Sequence, residues 1–451
     1  MRIRAVVLAA GLGTRMRSER PKMLHLLGGR PLVHFALEAA HEATGALPIL
    51  VIGHGAEVLQ AEVGKKAECV LQPELLGTAD ALRRAEPLLR GTVDFVLVTY
   101  GDMPLLQAAT LRRLIEGMQA HSGPLGMLTG RDQNARGFGR IVRDETGAVQ
   151  AVVEESDADS HQRGLFEINP GVYVARESWL WRALAHVRPS PKGELYLTDL
   201  VEMAAAQSGG VLATAIEDPS EWIGVNTRVH LAEAEAALRA RINRRWMEAG
   251  VTMIDPATTY VQAGVEIGAD TVLLPNTRLE GTTRVGRGCQ IGPDTTLRNA
   301  ILGDRCRVEV AIVEGAKLAD EVSVGPFAHL RKGAVLERGV HMGNFGEVKD
   351  STLGPGTKMG HFSYIGDAHI GAEVNIGAGT ITCNFDGQKK NPTDIGDGAF
   401  IGSDTMLVAP VKIGRGARTG AGSVVTRDVP DHTLAVGMPA RAIRRLAPAK
   451  E

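Results

Sequence analysis

The chain lacks the cysteine content of a disulfide-rich secreted protein and the net positive charge of a nucleic-acid-binding one. Only four of its 451 residues are cysteines (Cys69, Cys289, Cys306 and Cys383), and no two form a CxxC pair. A disulfide framework is therefore not expected. We expect the cysteines to be buried, reduced thiols in a cytosolic protein. The net charge of −2 provides no basic field for a nucleic acid or an anionic membrane surface.

Long apolar runs are also missing. No stretch of about 18 apolar residues is present, so no transmembrane helix is expected. The first apolar run, MRIRAVVLAAG, is broken too early for a signal peptide, and a strand followed by a loop is the better interpretation. Together these absences predict a cytoplasmic protein, and 451 residues exceed what one hydrophobic core usually spans.

What the C-terminal two-fifths has in abundance is a six-residue repeat of aliphatic residues, many followed at once by Gly. Six is neither the 3.6-residue period of a helix nor the 2-residue period of an ordinary strand. It is typical of a parallel β-helix of about nine or ten coils, with Gly, Asn or Asp at the corners. The alternative is a glycine-rich all-β domain with accidental spacing. The residues in phase, with a slip after Leu297, are Val261, Ile267, Leu273, Leu279, Val285, Ile291, Leu297, Leu318, Val324, Leu330, Leu336, Met342, Val348, Leu353, Met359, Ile365, Ile395, Ile401, Leu407 and Ile413.

Residues 1–226 alternate short apolar runs with helical patterns. The alternation predicts an α/β domain with a mostly parallel sheet, helices on both faces, and ligands at the carboxyl ends of the strands. One helix should bury Leu32, Phe35, Ala36 and Ala39 on one face. The predicted strands are Ile3–Ala9, Ile49–Ile52 and Phe95–Val98, and the predicted helices are Pro31–Ala43, Thr78–Leu89 and Thr110–Gln119.

Between the two regions, Val229–Ala249 is rich in Ala, Glu and Arg and ends at Gly250, which predicts one long linker helix. We therefore expect domains at residues 1–227 and 251–451, joined by a helix over 228–250. The residues after Val436 leave the repeat, and a short helix or a mobile tail is expected there.

The first chemical signal is Leu8-Ala9-Ala10-Gly11-Leu12-Gly13-Thr14-Arg15-Met16, followed by Arg20-Pro21-Lys22. A strand that ends in such a turn exposes backbone N–H groups that can cradle phosphate, with Arg15 and Lys22 as countercharges. The loop is neither a Walker loop nor a complete dinucleotide fingerprint. Taken alone it is also compatible with a packing turn.

Asp102 follows a predicted strand at the edge where ligands should bind. A carboxylate there is a suitable hard ligand for Mg²⁺, whose octahedron nucleotide phosphates would complete. The alternative is a turn-forming Asp before Met103-Pro104.

Two places break the six-residue pattern, and such departures are where function is expected. One is Gly343–Lys349 followed by Gly360–Asp367, and the other is Asn375–Gly379 followed by Thr382–Gly387 and an insertion that reaches Asp394. His361 is one of four histidines in this stretch, and its residue type alone is equally compatible with an exposed turn.

The complete string LAAGxGTRM with Arg-Pro-Lys resembles the signature of sugar-1-phosphate nucleotidylyltransferases. With the hexapeptide region, the chain resembles the family of bacterial bifunctional UDP-N-acetylglucosamine pyrophosphorylases that are also glucosamine-1-phosphate N-acetyltransferases. The resemblance implies a Rossmann-like nucleotidyltransferase domain, a linker helix and a left-handed parallel β-helix. Segments that agree in order are Leu71-Gln72-Pro73, Gly77-Thr78-Ala79, Tyr100–Pro104, Gly137–Arg140, Val153–Glu155, Glu167–Gly171 and Gly224-Val225-Asn226.

For the first domain, the resemblance implies UTP, N-acetylglucosamine-1-phosphate and Mg²⁺ as partners. Asp102 and Asn226 would hold Mg²⁺, although the position of Asn226 is also that of a helix N-cap. Arg15 and Lys22 would neutralise phosphate charge. The residues that would hold the uridine part are Leu8, Ala9, Ala10, Gly11, Gln72, Gly77 and Thr78, those that would hold the sugar are Gly139, Glu154 and Asn169, and Tyr100 and Gly101 would line the same site.

For the second domain, the resemblance implies glucosamine-1-phosphate and acetyl-CoA as substrates, and a homotrimer. His361 would be the general base for attack by the amino group, and Glu347 could orient it or hold the substrate ammonium. Arg331 and Lys349 would clamp the sugar phosphate, although each is also compatible with a solvated surface charge. Tyr364 and Asn375 would bind the sugar, and the residues that would line the acetyl-CoA groove are Ala378, Asn384, Phe385, Ser403 and Ala421.

Some positions depart from the family. Leu12 replaces a polar residue, Asp80 stands where His is frequent, and Phe385 where Tyr is usual. Met438 replaces an Arg that would contact the coenzyme phosphate, for which Arg441, Arg444 or Arg445 are candidate substitutes. We expect Leu12 and Asp80 to tune affinity.

Two other functions are compatible with parts of the sequence. One is a nucleotidylyltransferase for another sugar or base whose β-helix is only regulatory or trimerising. The other is a non-catalytic protein in which the β-helix presents a nucleotide-sensing domain. The motifs around His361 and Asn384 argue against the first, because it predicts no acetyl transfer. The second would be favoured if the chain, with Asp102 in place, showed no turnover in the presence of Mg²⁺.

Overall fold

The computed structural model of the chain describes residues 2–133, 137–190 and 193–445, and its contacts divide it into two units, Met1–Leu238 and Arg239–Glu451. None of the helices in the described residues is long and apolar enough to cross a membrane. A helix from Arg228 to Glu248 includes the boundary between the units.

The first unit is built on a mixed sheet of ten strands. Its first half is parallel, as predicted, in the order Glu68–Leu71, Ile49–Ile52, Ile3–Ala9 and Phe95–Tyr100. The prediction of a mostly parallel sheet is wrong for the other half, which is largely antiparallel. That half contains Tyr173–Arg176, Leu125–Arg131, Glu167–Asn169, Gly139–Arg143 and Val149–Val153, with Val211–Ala215 parallel to Leu125–Arg131.

Apolar helices cover this sheet and form two buried clusters. The predicted helix Thr78–Leu89 is in fact two helices, because Pro87 has no N–H to continue the ladder. The α-helices of this part of the chain are Leu32–Thr44, Ala56–Val63, Thr78–Arg83, Glu86–Leu89, Ala108–Ala120, Ser160–Arg163, Glu177–Leu184 and Asp199–Ala205. Shorter elements are the 3-10 turns Thr14–Met16, Lys22–Leu24, Gly64–Lys66 and Pro219–Trp222 and the hairpin Leu26–Leu27 with Arg30–Pro31.

The helix Leu32–Thr44 buries a slightly different face from the predicted one. Leu32, Val33, Ala36, Leu37 and Ala40 are buried. The other two predicted core positions, residues 35 and 39, are only half-buried, and the ring of the first lies 5.1 Å from a guanidinium.

The second unit is a parallel β-helix with three faces, which confirms the prediction from the six-residue repeat, and it is of the left-handed type that the family resemblance implies. The first face consists of Thr252–Met253, Val272–Leu273, Gln290–Ile291, Arg307–Val308, Ser323–Val324, His341–Met342, Lys358–Met359, Asn375–Ile376, Phe400–Ile401, Arg418–Thr419, Thr433–Gly437 and Ala440–Arg445. The second face consists of Tyr260–Val261, Arg278–Glu280, Thr296–Arg298, Ala311–Glu314, Ala328–Leu330, Gly346–Lys349, Ser363–Gly366, Ile381–Cys383, Met406–Val408 and Val424–Val425. The third face consists of Glu266–Ile267, Arg284–Val285, Ile301–Leu302, Lys317–Leu318, Val335–Leu336, Thr352–Leu353, Ala368–Ile370, Thr393–Ile395 and Val411–Ile413.

The aliphatic ladder continues through the apparent slip in the sequence. Leu302, Val308 and Val313 point inward between Leu297 and Leu318, and each is almost completely buried. Some sides of the coils here have five residues instead of six, so the six-residue spacing is interrupted although the coils continue. The break between Ile365 and Ile395 is a true insertion, since residues 384–392 leave the second face as a loop.

A second buried register lies two residues before each inward aliphatic residue. It holds small residues, and buried threonines there satisfy their hydroxyls on the backbone, as Thr277 and Thr283 do on the carbonyls of Leu274 and Glu280 at 2.7 Å. Cys289 and Cys306 occupy this register and are buried. The other two cysteines are only half-buried, and all four are free.

The end of the described chain differs from the prediction. Ala440–Arg445 is a strand that pairs antiparallel with Thr433–Gly437, instead of a short helix or a mobile tail. The pairing gives the last parallel strand of the first face a partner for its exposed edge. The predicted tail beyond Arg445 lies outside the described residues.

Candidate functional site

The predicted phosphate-binding loop follows the strand Ile3–Ala9 at the carboxyl edge of the first sheet. Gly13 has a left-handed φ of 65°, and a Cβ there would lie 2.7 Å from the Cβ of Lys22, so glycine lets the loop close on this lysine. The Gly11 backbone is open, with no atom within 4 Å of an added Cβ. Arg15 is exposed in the following turn. The loop therefore offers open backbone and a cation to an anionic ligand.

Lys22 lies between the two predicted metal ligands. Its Nζ donates to Asp102 Oδ2 at 2.6 Å and to Asn226 Oδ1 at 3.0 Å. The backbone brings the two oxygens together, because the Val225 N–H donates to the Asp102 carbonyl at 2.8 Å. The ammonium thus occupies a position where a cation can contact both side chains.

The donor set fits Mg²⁺. A carboxylate and an amide oxygen are hard ligands of the kind that Mg²⁺ prefers. In the described ranges, no group of three or more His, Cys, Asp or Glu side chains could hold a metal by itself. Such a sparse site is what a metal completed by nucleotide phosphates and water requires.

The predicted uridine residues lie at the ends of neighbouring elements on the same edge of the sheet. Leu8, Ala9 and Ala10 are buried at the end of the first strand. Gly101 follows the adjacent strand, and its N–H donates to the Leu8 carbonyl at 3.0 Å. These contacts place the backbone of both strand ends at one site.

Gln72 and Gly77 form the other side of this edge. Gln72 is buried, and its Nε2 donates to Asp80 Oδ2 at 2.9 Å and to the Gly77 carbonyl at 3.1 Å. Gly77 has φ of 116°, and a Cβ there would lie 2.5 Å from the Leu195 carbonyl oxygen. The Thr78 hydroxyl accepts the Leu197 N–H at 3.0 Å. The turn therefore needs glycine, and residues 195–197 hold it in place.

The predicted sugar-binding residues also lie together. Asn169 and Gly139 are partners in neighbouring strands, and a Cβ on Gly139 would lie 3.7 Å from Glu154 Oε2. The Asn169 amide donates to the Tyr173 hydroxyl at 2.6 Å. Burial raises the pKa of Glu154, although the Thr198 hydroxyl donates to its Oε1 at 3.0 Å.

Tyr100 connects this group to the predicted metal site. Burial raises the pKa of the Tyr100 phenol, and the nearby carboxylates of Glu154 and Asp102 raise it further. Tyr100 therefore stays neutral, with a hydroxyl available for hydrogen bonds. Sequence reasoning missed Thr198, whose only local signal is its position just before the helix Asp199–Ala205.

In the second unit, the predicted phosphate clamp lies on the second face. Arg331 Nη1 contacts Glu347 Oε1 at 2.9 Å, and hydrogen bonding to this carboxylate raises the pKa of the guanidinium. Glu347 is the strand partner of Tyr364, and Lys349 is the partner of Gly366. Two cations, one carboxylate and one phenol are therefore grouped on adjacent coils, as binding of an amino-sugar phosphate requires.

His361 lies on the edge between the first and second faces. It is exposed, and its neighbour Phe362 accepts the Gly379 N–H through its carbonyl at 2.6 Å. Further along this edge the Asp404 N–H donates to the Ala378 carbonyl at 2.6 Å, and the Gly422 N–H donates to the Ser403 carbonyl at 2.8 Å. The predicted acetyl-CoA residues Ala378, Ser403 and Ala421 thus stack on successive coils beyond the histidine.

The insertion, residues 384–392, follows the second-face strand Ile381–Cys383. Asn384 Nδ2 donates to Asp367, and a Cβ on Gly366 would lie 2.5 Å from the Tyr364 hydroxyl and 2.7 Å from Asn384 Nδ2. Phe385 is exposed at the start of the loop. Glycine at 366 therefore leaves room for the phenol and the amide to meet above the strand.

The structure does not place Asn375 on the same face as the other predicted sugar residues. It lies on the first face, paired with Lys358 and Phe400. Sequence reasoning missed Lys390, whose Nζ lies 3.7 Å from Asp367 Oδ2. Its position in an irregular insertion gave no periodic signal. Arg441, Arg444 and Arg445 are exposed in the last strand, and so is Met438.

Comparisons with known proteins cover both units. The model of the MobA-like NTP transferase domain matches residues 5–249, and that of the bacterial transferase hexapeptide matches residues 392–427. The chain is 46% identical to the bifunctional protein GlmU of Heliobacterium modesticaldum, over 96% of this chain and 94% of the relative. It is 45% identical to that of Pelobacter propionicus over 96% and 95% of the two chains, and 43% identical to that of Syntrophomonas wolfei over 97% of each.

Proposed function

This chain belongs to the family of bifunctional GlmU proteins, and we propose which residues carry each of its two activities. The protein is an enzyme that acetylates glucosamine-1-phosphate with acetyl-CoA. It then transfers UMP from UTP to the acetylated sugar phosphate, which yields UDP-N-acetylglucosamine and pyrophosphate. The single observation that carries this function is the full-length likeness to bifunctional relatives.

The two activities are assigned to different parts of the chain. Residues 1–227 are the uridylyltransferase domain, 228–250 the linker helix, and 251–451 the acetyltransferase domain. Support comes from the nucleotidyltransferase match, the helix Arg228–Glu248 and the hexapeptide match.

Uridylyl transfer takes place beside Lys22. Asp102 and Asn226 would hold Mg²⁺, which would supply neutralisation of the phosphate charge. Lys22 and Arg15 add countercharge, and the backbone of Gly11 binds the phosphates. A phosphate oxygen of the sugar phosphate attacks the α-phosphorus in line, the bond to the β-phosphate oxygen breaks, and pyrophosphate leaves. No general base is needed, because the attacking monoester is already anionic near pH 7.

Substrate positioning in this domain uses the residues around the sheet edge. Gln72, Gly77 and Thr78 bind the uridine part together with the strand end Leu8–Ala10. Gly139, Glu154 and Asn169 bind the sugar, with Tyr100 and Gly101 lining the site between the two. Support comes from the contacts among these residues at one edge of the sheet.

Acetyl transfer takes place beside His361. The amino nitrogen of the sugar attacks the thioester carbonyl carbon, and His361 takes the proton that this nitrogen loses. When the carbon–sulfur bond breaks, the imidazolium can return the proton to the departing CoA thiolate. Arg331 and Lys349 bind the sugar phosphate. Tyr364 and Glu347 orient the ring and its amino group from the second face, and Asn375 contacts the sugar from the first face.

The edge beyond His361 binds acetyl-CoA. Ala378, Ser403 and Ala421 are small, and the three coil steps from His361 to Ala421, at about 4.8 Å each, give a track of about 14 Å. Such a track suits an extended pantetheine arm. Asn384 and Phe385 lie at the opposite end of the strand Ile381–Cys383 from Ala378, where the insertion begins, and Phe385 supplies apolar contact in place of a hydroxyl.

We also propose a homotrimer in the cytoplasm, where UTP and acetyl-CoA are available. Phe327, Phe345 and Phe362 are exposed on successive coils of the His361 edge, and the first two rings stack at 5.1 Å. An apolar strip of this kind is usually covered by another surface. Light scattering after size exclusion should give three times the chain mass of 47.9 kDa.

The assignment of sites is tested by paired assays on Asp102→Ala and His361→Ala. Asp102→Ala should lose uridylyl transfer and keep acetyl transfer, because only the metal site is damaged. His361→Ala should do the reverse. If either substitution removes both activities from a folded protein, the two-site assignment is wrong.

A further inference from the structure

The side chain of Gln72 is held in one orientation by two acceptors. Its Nε2 donates to Asp80 Oδ2 at 2.9 Å and to the carbonyl oxygen of Gly77 at 3.1 Å. A backbone carbonyl and an ionised carboxylate can only accept, so the amide nitrogen must face them. Both N–H groups of the amide are then used.

Asp80 is itself fixed. The residue is 4% exposed, and Arg84 Nη2 contacts its Oδ1 at 3.0 Å across one helical turn. Arg84 Nε contacts the other oxygen at 3.4 Å. The cation provides the countercharge that a buried carboxylate needs. Asp80 therefore presents an acceptor to Gln72 and no donor.

The Oε1 atom of Gln72 is therefore available to accept a hydrogen bond from a ligand. Among the described residues this oxygen has no hydrogen-bond partner, and Gln72 follows the strand Glu68–Leu71 at the carboxyl edge of the sheet. A nucleobase that meets this amide therefore meets an acceptor. Uracil offers an N–H at N3, whereas cytosine offers a lone pair there.

We propose that Asp80 is a positioning residue that makes the uridylyltransferase site select uracil over cytosine by fixing the amide orientation of Gln72. The inference rests on the proposed uridylyl transfer and deepens it. Asp80 does not touch the nucleotide. It acts by preventing the flip that would turn the Gln72 amide nitrogen towards N3 of cytosine.

The test measures kcat/KM of the full chain with UTP and with CTP, using N-acetylglucosamine-1-phosphate as the second substrate. Asp80→Asn can both donate and accept, so only the Gly77 carbonyl still opposes the flip of the Gln72 amide. The ratio of kcat/KM for UTP to that for CTP should fall about tenfold, the size of one hydrogen bond, with kcat/KM for CTP rising. An equal loss with both nucleotides would mean a merely structural role and would overturn the proposal.

Glu86→Gln is the matched control. Glu86 also pairs with an arginine four residues later, Arg90, but has no contact with Gln72. Its UTP-to-CTP ratio should equal that of the wild type. A fall in this variant as large as that in Asp80→Asn would also overturn the proposal, because any lost ion pair on these helices would then be sufficient.

A second measurement needs no substitution. The wild type should use 3-methyl-UTP at least tenfold less efficiently than UTP, whereas dTTP, which keeps the N3–H, should lose much less through the base. Equal use of 3-methyl-UTP and UTP would overturn the proposal even if Asp80→Asn fails to fold. Absence of any turnover with UTP in the wild type would instead refute the proposed uridylyl transfer, so the two failures are distinguishable.

Discussion

Glu221 Oε2 accepts the backbone N–H of Gln107 at 2.8 Å, which ties the segment that leads to Asn226 onto the helix that follows Asp102. The other carboxylate oxygen accepts the Thr110 hydroxyl at 2.9 Å. Glu221 is 2% exposed, so these bonds form away from water. Asp102 and Asn226 are therefore held close by this contact between their neighbouring segments, in addition to their shared contact with Lys22.

Glu221→Gln should weaken Mg²⁺ binding without removing a ligand. The amide turns a donor towards groups that are themselves donors, so the segment before Asn226 should loosen. We expect the half-saturating Mg²⁺ concentration for uridylyl transfer to rise about three- to tenfold, with little change in kcat at saturating Mg²⁺. Glu217→Gln, which removes a surface carboxylate paired with Arg113, is the control. A lower kcat with an unchanged Mg²⁺ requirement would contradict this positioning role.

Lys22→Met should have opposite effects on Mg²⁺ binding and on the rate of uridylyl transfer. Lys22 contacts Asp102 and Asn226 and so competes with a divalent cation for their oxygens. The variant should bind Mg²⁺ more tightly in a calorimetric titration, because this competition is gone. Its kcat for uridylyl transfer should nevertheless fall by about two orders of magnitude, since a phosphate countercharge is lost. Weaker Mg²⁺ binding would show that Lys22 supports the metal site instead of competing for it.

The raised pKa of Glu154 predicts a pH-dependent effect on stability. Burial raises this pKa, so the folded state favours the protonated carboxyl. The wild type therefore loses stability as pH rises from about 4.3, the ordinary pKa, through the higher folded-state value. Glu154→Gln should consequently raise the melting temperature at pH 8, with the difference disappearing towards pH 4. The exposed Glu116→Gln is the matched control. An advantage that persists unchanged at pH 4 would rule out titration of Glu154 as the cause.

The small residues of the proposed acetyl-CoA track can be tested by adding bulk. Ala378→Leu should raise the KM for acetyl-CoA at least tenfold and leave uridylyl transfer unchanged, because the leucine would obstruct the edge beyond His361. Ala372→Leu enlarges a residue at a different corner of a neighbouring turn and should leave both activities near wild type. Unchanged KM in Ala378→Leu would place the coenzyme elsewhere.

The β-helix was predictable because each side repeats one inward aliphatic residue, and Val285 and Ile291 carry that signal without any long-range information. The antiparallel half of the first sheet was not, since strands such as Tyr173–Arg176 have the same apolar composition as parallel ones. The order of strands in a sheet depends on contacts between distant segments.

The candidate sites divide in the same way. Asp102 could be predicted as a ligand because it follows a strand. Nothing in the sequence near Asn226 indicates that its side chain and that of Asp102 both contact the Lys22 ammonium. The sequence alone suggests no more than that Asp80 tunes affinity. Its contact with Gln72 joins the helix Thr78–Arg83 to the end of a strand, and only the fold reveals it.

The five-residue spacing between Leu297 and Leu302 predicts that substitutions of the adjacent residues Ile301 and Leu302 differ strongly in their effect on stability. Leu302 is 4% exposed and continues the inward ladder through the five-residue spacing, whereas Ile301 is 45% exposed on the outside of the same strand. Leu302→Ala should lower the free energy of unfolding by about 2–5 kcal/mol, because it leaves a cavity in a column that the coils above and below cannot close. Ile301→Ala should cost about 0.5 kcal/mol or less, as surface substitutions do. Urea denaturation followed by circular dichroism measures both values. A larger loss in Ile301→Ala than in Leu302→Ala would mean that Ile301, and not Leu302, is the residue of this strand that faces the interior.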